Sequence, residues 1–288
     1  MSAIRTVGVV GAGTMGQGIA QVCAAAGFST MLYDVNPEQV GRALQGIEEN
    51  LAAAEKKNKL RHEDRLATLS RLQAASTLEA LKVDLVVEAA IERLDIKQEL
   101  FKKLEALNSN KTIFATNTSS LSVTRIAEKL GTPSRCIGLH FFNPAERMKL
   151  VEIISGMATS PEVVASIQEF ALRIGKNAVM AKDSPGFIVN RVARHYYVES
   201  LKLLENRVAE IPAVDALLRS AGFRMGPFEL MDLIGVDTNL AVTTSVYEGF
   251  DRAPKFAPSP IQQQLVREGR LGKKTGKGFY DYSAKTSG

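Results

Sequence analysis

The chain has 288 residues, 45% hydrophobic and 23% charged, with a formal net charge of +5, the composition of an ordinary globular protein long enough for two cores. No apolar run reaches the roughly 18 residues of a membrane span, and neither Cys23 and Cys136 nor His62, His140 and His195 stand at metal-ligand spacing. Lysines and arginines are spread along the chain without a nucleic-acid motif, so a phosphorylated small molecule is a sufficient partner for the positive surface.

The first predicted element is the apolar run Val7 to Val10, and no charged-then-apolar leader precedes it, so a cytoplasmic location is the expectation. The run opens into "GAGTMGQGIA", in which Gly11, Gly13 and Gly16 form G-x-G-x-x-G, with Thr14 and Met15 inside the pattern. Alone the pattern is weak. Between a strand and a helix it is the dinucleotide fingerprint: Gly11 allows the tight turn, Gly13 lets backbone amides approach a pyrophosphate, and Gly16 lets the helix lie close to the strand. The helix N-terminus then faces the phosphates. A second strand, Ser29 to Tyr33, ends on Asp34, at the distance where such folds place the acid that accepts hydrogen bonds from a ribose 2′-hydroxyl. A carboxylate there repels a 2′-phosphate and neither Val35 nor Asn36 supplies a cation, so NAD is expected rather than NADP.

From Pro37 to Leu72 the chain is rich in Ala, Leu, Glu and Lys, which predicts a helical hairpin turning near Asn58 to Glu63. "VDLVVEAA", Val83 to Ala90, is a continuous apolar run of the kind that a strand buried on both faces shows. "TIFATNTSS" and "RCIGLHFFN" repeat the pattern. Strands alternating with helices predict a parallel, doubly wound α/β sheet of Rossmann type, with ligands beyond the strand ends at Asp34, Glu88 to Glu92, Asn117 to Ser120 and His140 to Asn143. The pattern changes at "KDSPGFIVNR". The boundary expected there divides residues 1–183, a nucleotide-binding domain, from residues 184–288, a smaller all-α domain whose glycine-rich tail packs back on the body.

His140 ends a strand on the ligand side, and Glu152 ends the strand-like run "KLVEI" twelve residues later. A lone histidine in such a place is more often structural. A dinucleotide fold that oxidises an alcohol nevertheless needs a base near pH 7, and a carboxylate beside it would orient the ring.

Seven separated stretches, "GAGTMGQGIAQ", "ATNTSSLS", "GLHFFNP", "KLVEII", "KDSPGFIVNR", "GPFELMDLIG" and "GKKTGKGFYDY", agree in order and spacing with one family. Over nearly its whole length the chain resembles the 3-hydroxyacyl-CoA dehydrogenases of bacteria and mitochondria. The resemblance implies NAD-dependent oxidation of an (S)-3-hydroxyacyl-CoA, or the reverse, on a short chain such as 3-hydroxybutyryl-CoA, in a homodimer formed through the helical domain. It implies His140 as base, Glu152 as its partner, and Ser119 and Asn190 as groups that orient the substrate. It also assigns Glu92, Lys97, Asn143 and Lys274 to NAD contacts and Lys57 to coenzyme A. Three positions depart from the family. Asn50 replaces a serine that contacts CoA, and Glu146 and Arg147 replace the apolar residues usual after HFFNP. If Arg147 faces the acyl channel, the substrate could instead be dicarboxylic, such as 3-hydroxyadipyl-CoA; otherwise Arg147 is one half of a surface pair with Glu146. The same fold also suits a related β-hydroxyacid dehydrogenase acting on a non-CoA substrate, or a nucleotide-sensing module without turnover.

Overall fold

The computed structural model describes residues 4–283, and the chain divides into two compact units after Ser184. In the first, eight strands form one sheet: β1 (Thr6–Val10), β2 (Ser29–Tyr33), β3 (Leu72–Ala74), β4 (Leu85–Glu88), β5 (Ile113–Thr116), β6 (Cys136–Phe141), β7 (Leu150–Ser155) and β8 (Asn177–Lys182). Their order is 3-2-1-4-5-6-7-8, so the order in which strands are added reverses between the parallel neighbours β1 and β4, the point where a doubly wound fold leaves a crevice at its strand ends.

The doubly wound reading is borne out, with one departure. β7 runs antiparallel to β6, while β8 runs parallel to β7. Only eight residues, 142–149, link β6 to β7, and a parallel return needs a crossover of about a dozen residues or more. The reversal sets His140 directly opposite Glu152. The short β3, unmarked by any apolar run, was not expected from the sequence.

Helix α1 (Thr14–Ala25) packs behind the glycine turn, and the expected hairpin forms as α2 (Pro37–Lys56) and α3 (His62–Ser70). Asn36 caps α2, its side chain accepting from Glu38 N at 3.1 Å, with Pro37 in the first turn. Leu94–Leu107 (α4), Val123–Ala127 (α5) and Pro161–Arg173 (α6) complete the unit. Its core runs from Val7, Val9 and Ile19 through Phe28, Leu85 and Leu139 to Ile153 and Phe170, all buried.

The second unit is helical: α7 (Val189–Glu205), α8 (Ile211–Ser220), α9 (Pro227–Ile234), α10 (Val236–Gly249) and α11 (Pro260–Arg267). Tyr197, Leu201, Val214, Phe228 and Met231 form its core, and Phe279 and Tyr280 of the tail pack against it. Asp232, buried, accepts hydrogen bonds from Phe279 N, Tyr280 N and the Tyr282 hydroxyl at 2.9, 2.9 and 3.0 Å. One carboxylate of α9 thus fastens three residues of the tail.

Candidate active site

The three fingerprint glycines have different physical reasons. Gly11 has φ +101°, a conformation that L side chains rarely adopt, and a Cβ there would lie 2.5 Å from Ala89 O. A Cβ on Gly16 would lie 1.7 Å from Gly11 O, so only glycine lets α1 approach the turn. Around Gly13 a Cβ would meet no protein atom within 4 Å. That glycine leaves open space at the head of α1, where Gly13 and Thr14 are exposed and no side chain caps the helix. Open space beside uncapped amides is what a pyrophosphate requires, so the turn fits a dinucleotide.

Asp34 has a second task not read from the sequence. Its carboxylate accepts from Ala12 N at 2.7 Å and from Asn36 N at 2.9 Å, binding the glycine turn to the end of β2. Each oxygen keeps further acceptor capacity for ribose hydroxyls. Val35 beside it is 88% exposed, and nothing cationic joins them in sequence to receive a 2′-phosphate.

Beyond β4 and β5 a network surrounds Glu92. Its Oε1 accepts from the Thr118 hydroxyl at 2.6 Å and from Ser119 N at 2.9 Å, with the Ser119 hydroxyl at 3.3 Å. Lys97, only 1% exposed, donates to Glu88 Oε1 at 2.6 Å and lies 3.2 Å from Glu92 Oε2. Burial raises the Glu92 pKa, but the Lys97 ammonium and the donors on Thr118 and Ser119 outweigh it and hold the carboxyl below the usual glutamate range. Lys97 therefore acts on the site through carboxylates that it charges and positions. Glu88 also accepts from the Thr116 hydroxyl at 2.7 Å, and Asn117 Oδ1 accepts from Phe141 N at 2.8 Å. Neither role is visible in the sequence, because each depends on which way a side chain turns between neighbouring strands.

His140 and Glu152 are both buried, and His140 Nδ1 stands 2.7 Å from Glu152 Oε2. A carboxylate at that distance fixes the proton on Nδ1, so Nε2 carries the lone pair that can take a proton. Phe142 packs its ring 4.6 Å from the imidazole. Asn143 is exposed and precedes a cis bond to Pro144.

Asn50 and Lys57 lie with Gln21, Lys59, Glu146 and Arg147 around one cavity of 480 Å³. In the second unit, Asn190 occupies the first turn of α7, where its carbonyl accepts from Arg194 Nε at 3.1 Å. Arg194 is itself buried, and burial lowers its guanidinium to about 10. Lys274 pairs with Asp237 at 2.6 Å.

Residues 6–184 match the NAD-binding domain of 3-hydroxyacyl-CoA dehydrogenase, and residues 186–282 match its C-terminal domain. The chain is 50% identical over 284 residues to the 3-hydroxyadipyl-CoA dehydrogenase of Escherichia coli (strain K12), covering 98% of this chain but 60% of that longer protein. It is 41% identical to the probable 3-hydroxybutyryl-CoA dehydrogenase of Bacillus subtilis (strain 168), with 99% of each covered. The crystal structure of (S)-3-hydroxybutyryl-CoA dehydrogenase from Ralstonia eutropha superposes with a TM-score of 0.93 at 38% identity, covering 98% of this chain and all of that one. Fingerprint, acid at the end of β2, paired His140 and Glu152, and the matches across both units lead to one assignment: the chain belongs to the NAD-dependent 3-hydroxyacyl-CoA dehydrogenase family.

Proposed function

We propose that the protein interconverts an (S)-3-hydroxyacyl-CoA and the corresponding 3-ketoacyl-CoA, with a short acyl group such as 3-hydroxybutyryl, and that His140 is its acid–base catalyst. The observation that carries this reading is the buried 2.7 Å contact of His140 Nδ1 with Glu152. In oxidation His140 Nε2 removes the 3-hydroxyl proton, the C3–H bond breaks as a hydride, and the oxygen lone pair closes the ketone. NAD, held by the glycine turn and Asp34, supplies the hydride acceptor when bound. Glu152 stabilises the imidazolium that forms, and Ser119 and Asn190 position the substrate oxygens. Thr14, Met15, Glu92, Lys97, Asn143 and Lys274 complete the NAD site, and Asn50 and Lys57 serve coenzyme A.

In this reading the first unit is the nucleotide-binding domain, and the second completes the substrate site and pairs two copies. An apolar cavity of 550 Å³ in the second unit, lined by Val192, Tyr196, Phe223 and Met225, supports the pairing. Among the described residues no helix is long and apolar enough to cross a membrane, and the cytoplasm is the proposed compartment, where acyl-CoA and NAD occur together.

The test is NADH oxidation with acetoacetyl-CoA. Thioester-dependent turnover is expected; turnover only with free hydroxy or keto acids refutes the acyl-CoA reading, and NAD binding without any turnover leaves a sensing module. A comparison of butyryl- and adipyl-type substrates separates the short-chain reading from the one suggested by the name of the Escherichia coli relative.

A further inference from the structure

Glu146 and Arg147 depart from the family's apolar pattern, and the structure gives them a place. Their loop has a fixed backbone: Arg147 N and Met148 N both donate to Pro144 O, at 3.0 and 2.9 Å. Lys176, itself buried, donates from Nζ to Ala145 O at 2.5 Å and to Met148 O at 2.7 Å. The Arg147 side chain is 80% exposed, and its Nε comes only within 3.8 Å of Glu146 Oε1. So long and solvated a pair holds the guanidinium weakly.

Across the cavity stands α2. Asn50, Ala53, Ala54 and Lys57 follow the i, i+3, i+4, i+7 spacing of one helix face. The helix then ends, and Asn58, at φ +54°, turns the chain so that Lys59 joins the same wall. Ala53 and Ala54 present only methyl groups, which leaves the centre open. Three cations thus surround a 480 Å³ cavity against one carboxylate, Glu146.

Lys57 and Asn50 already mark this cavity for coenzyme A in the reading above; we propose that Arg147, where the family has an apolar residue, joins Lys57 and Lys59 as a cation that binds a phosphate group there. The proposal rests on the acyl-CoA reading above and moves Arg147 from the acyl end of the substrate to its nucleotide end. A guanidinium grips two phosphate oxygens in its planar fork, while the lysines act as point charges. A distal carboxylate of a dicarboxylic acyl chain has no claim on an arginine that shares its cavity with Lys57.

Calorimetric titration of CoA and 3′-dephospho-CoA into the wild type, Arg147→Ala and Glu146→Gln tests this. Arg147→Ala is expected to weaken CoA binding by about three- to tenfold, and Glu146→Gln, which removes a like charge, to tighten it. A loss confined to CoA assigns the 3′-phosphate; an equal loss with dephospho-CoA assigns the pyrophosphate. Unchanged affinities in both variants overturn the proposal. So does an Arg147→Ala variant that binds CoA normally but changes the ratio of adipyl to butyryl turnover. The titrations need no turnover, so an inactive wild type refutes the enzymatic reading while Arg147 is still decided.

Discussion

At the scale of single residues, two carboxylates do opposite kinds of work. Glu152 faces the histidine, with Oε2 at 2.7 Å from His140 Nδ1. His140→Ala is expected to lower kcat by about 10³-fold or more, and Glu152→Gln, which keeps size but loses charge, by about 10²-fold. Steady-state kinetics beside NAD titration check this: NAD affinity stays, because neither residue belongs to the glycine turn or to the end of β2. Near-normal turnover of a folded His140→Ala variant makes His140 a structural histidine. Asp34, by contrast, holds backbone at Ala12 and Asn36 besides its proposed hold on the ribose. Asp34→Ala should narrow the preference for NAD over NADP by about tenfold or more, and should also cost about 1–2 kcal/mol of stability through the orphaned Ala12 and Asn36 amides. Asp34→Asn keeps an acceptor and should recover much of that stability in urea unfolding. The glycine turn and its acid were legible because a local sequence pattern specifies them. The pinning of Ala12 by Asp34 was not, since it joins residues 22 apart through a side-chain direction.

Among the elements, α1 shows how one pattern carries two constraints. Gly16→Ala drives a Cβ into Gly11 O and should destabilise the fold by about 2–3 kcal/mol. Gly13→Ala meets no protein atom; it should leave the stability within about 0.5 kcal/mol of wild type once its altered backbone entropy is allowed for, yet weaken NAD binding. Equal stability losses in the two variants would contradict the division of roles. The helical hairpin and β2 were legible from composition and periodicity. β7 was legible as a strand but not in its direction, although the eight-residue link after β6 carried the signal. Direction matters here more than elsewhere, because only the antiparallel register sets His140 opposite Glu152. β3 and β8 lie at the two ends of the sheet order, where little burial is demanded; β3 has no apolar run, and the short one in β8, Ala178 to Ala181, leaves Val179 and Met180 exposed.

For the whole molecule, the proposed pairing of two copies is testable at the apolar face of the second unit. Val192 is 68% exposed beside a cavity lined by Tyr196 and Phe223. Val192→Glu should leave the unit folded, since the position is solvated, and should shift a homodimer to monomer in sedimentation; an unchanged mass would remove this face from the interface. The tail of that unit has a different consequence, one of timing during synthesis. The first unit closes its core with residues up to Ser184. The second cannot satisfy Asp232 until Phe279, Tyr280 and Tyr282 have left the ribosome. Nor can Asp215 receive its donor from the Tyr280 hydroxyl before then. The first unit can thus close its core while the helical half is still being translated, so the glycine turn and Asp34 stand in place before Lys274, the residue that completes the NAD site in the reading above, has been made.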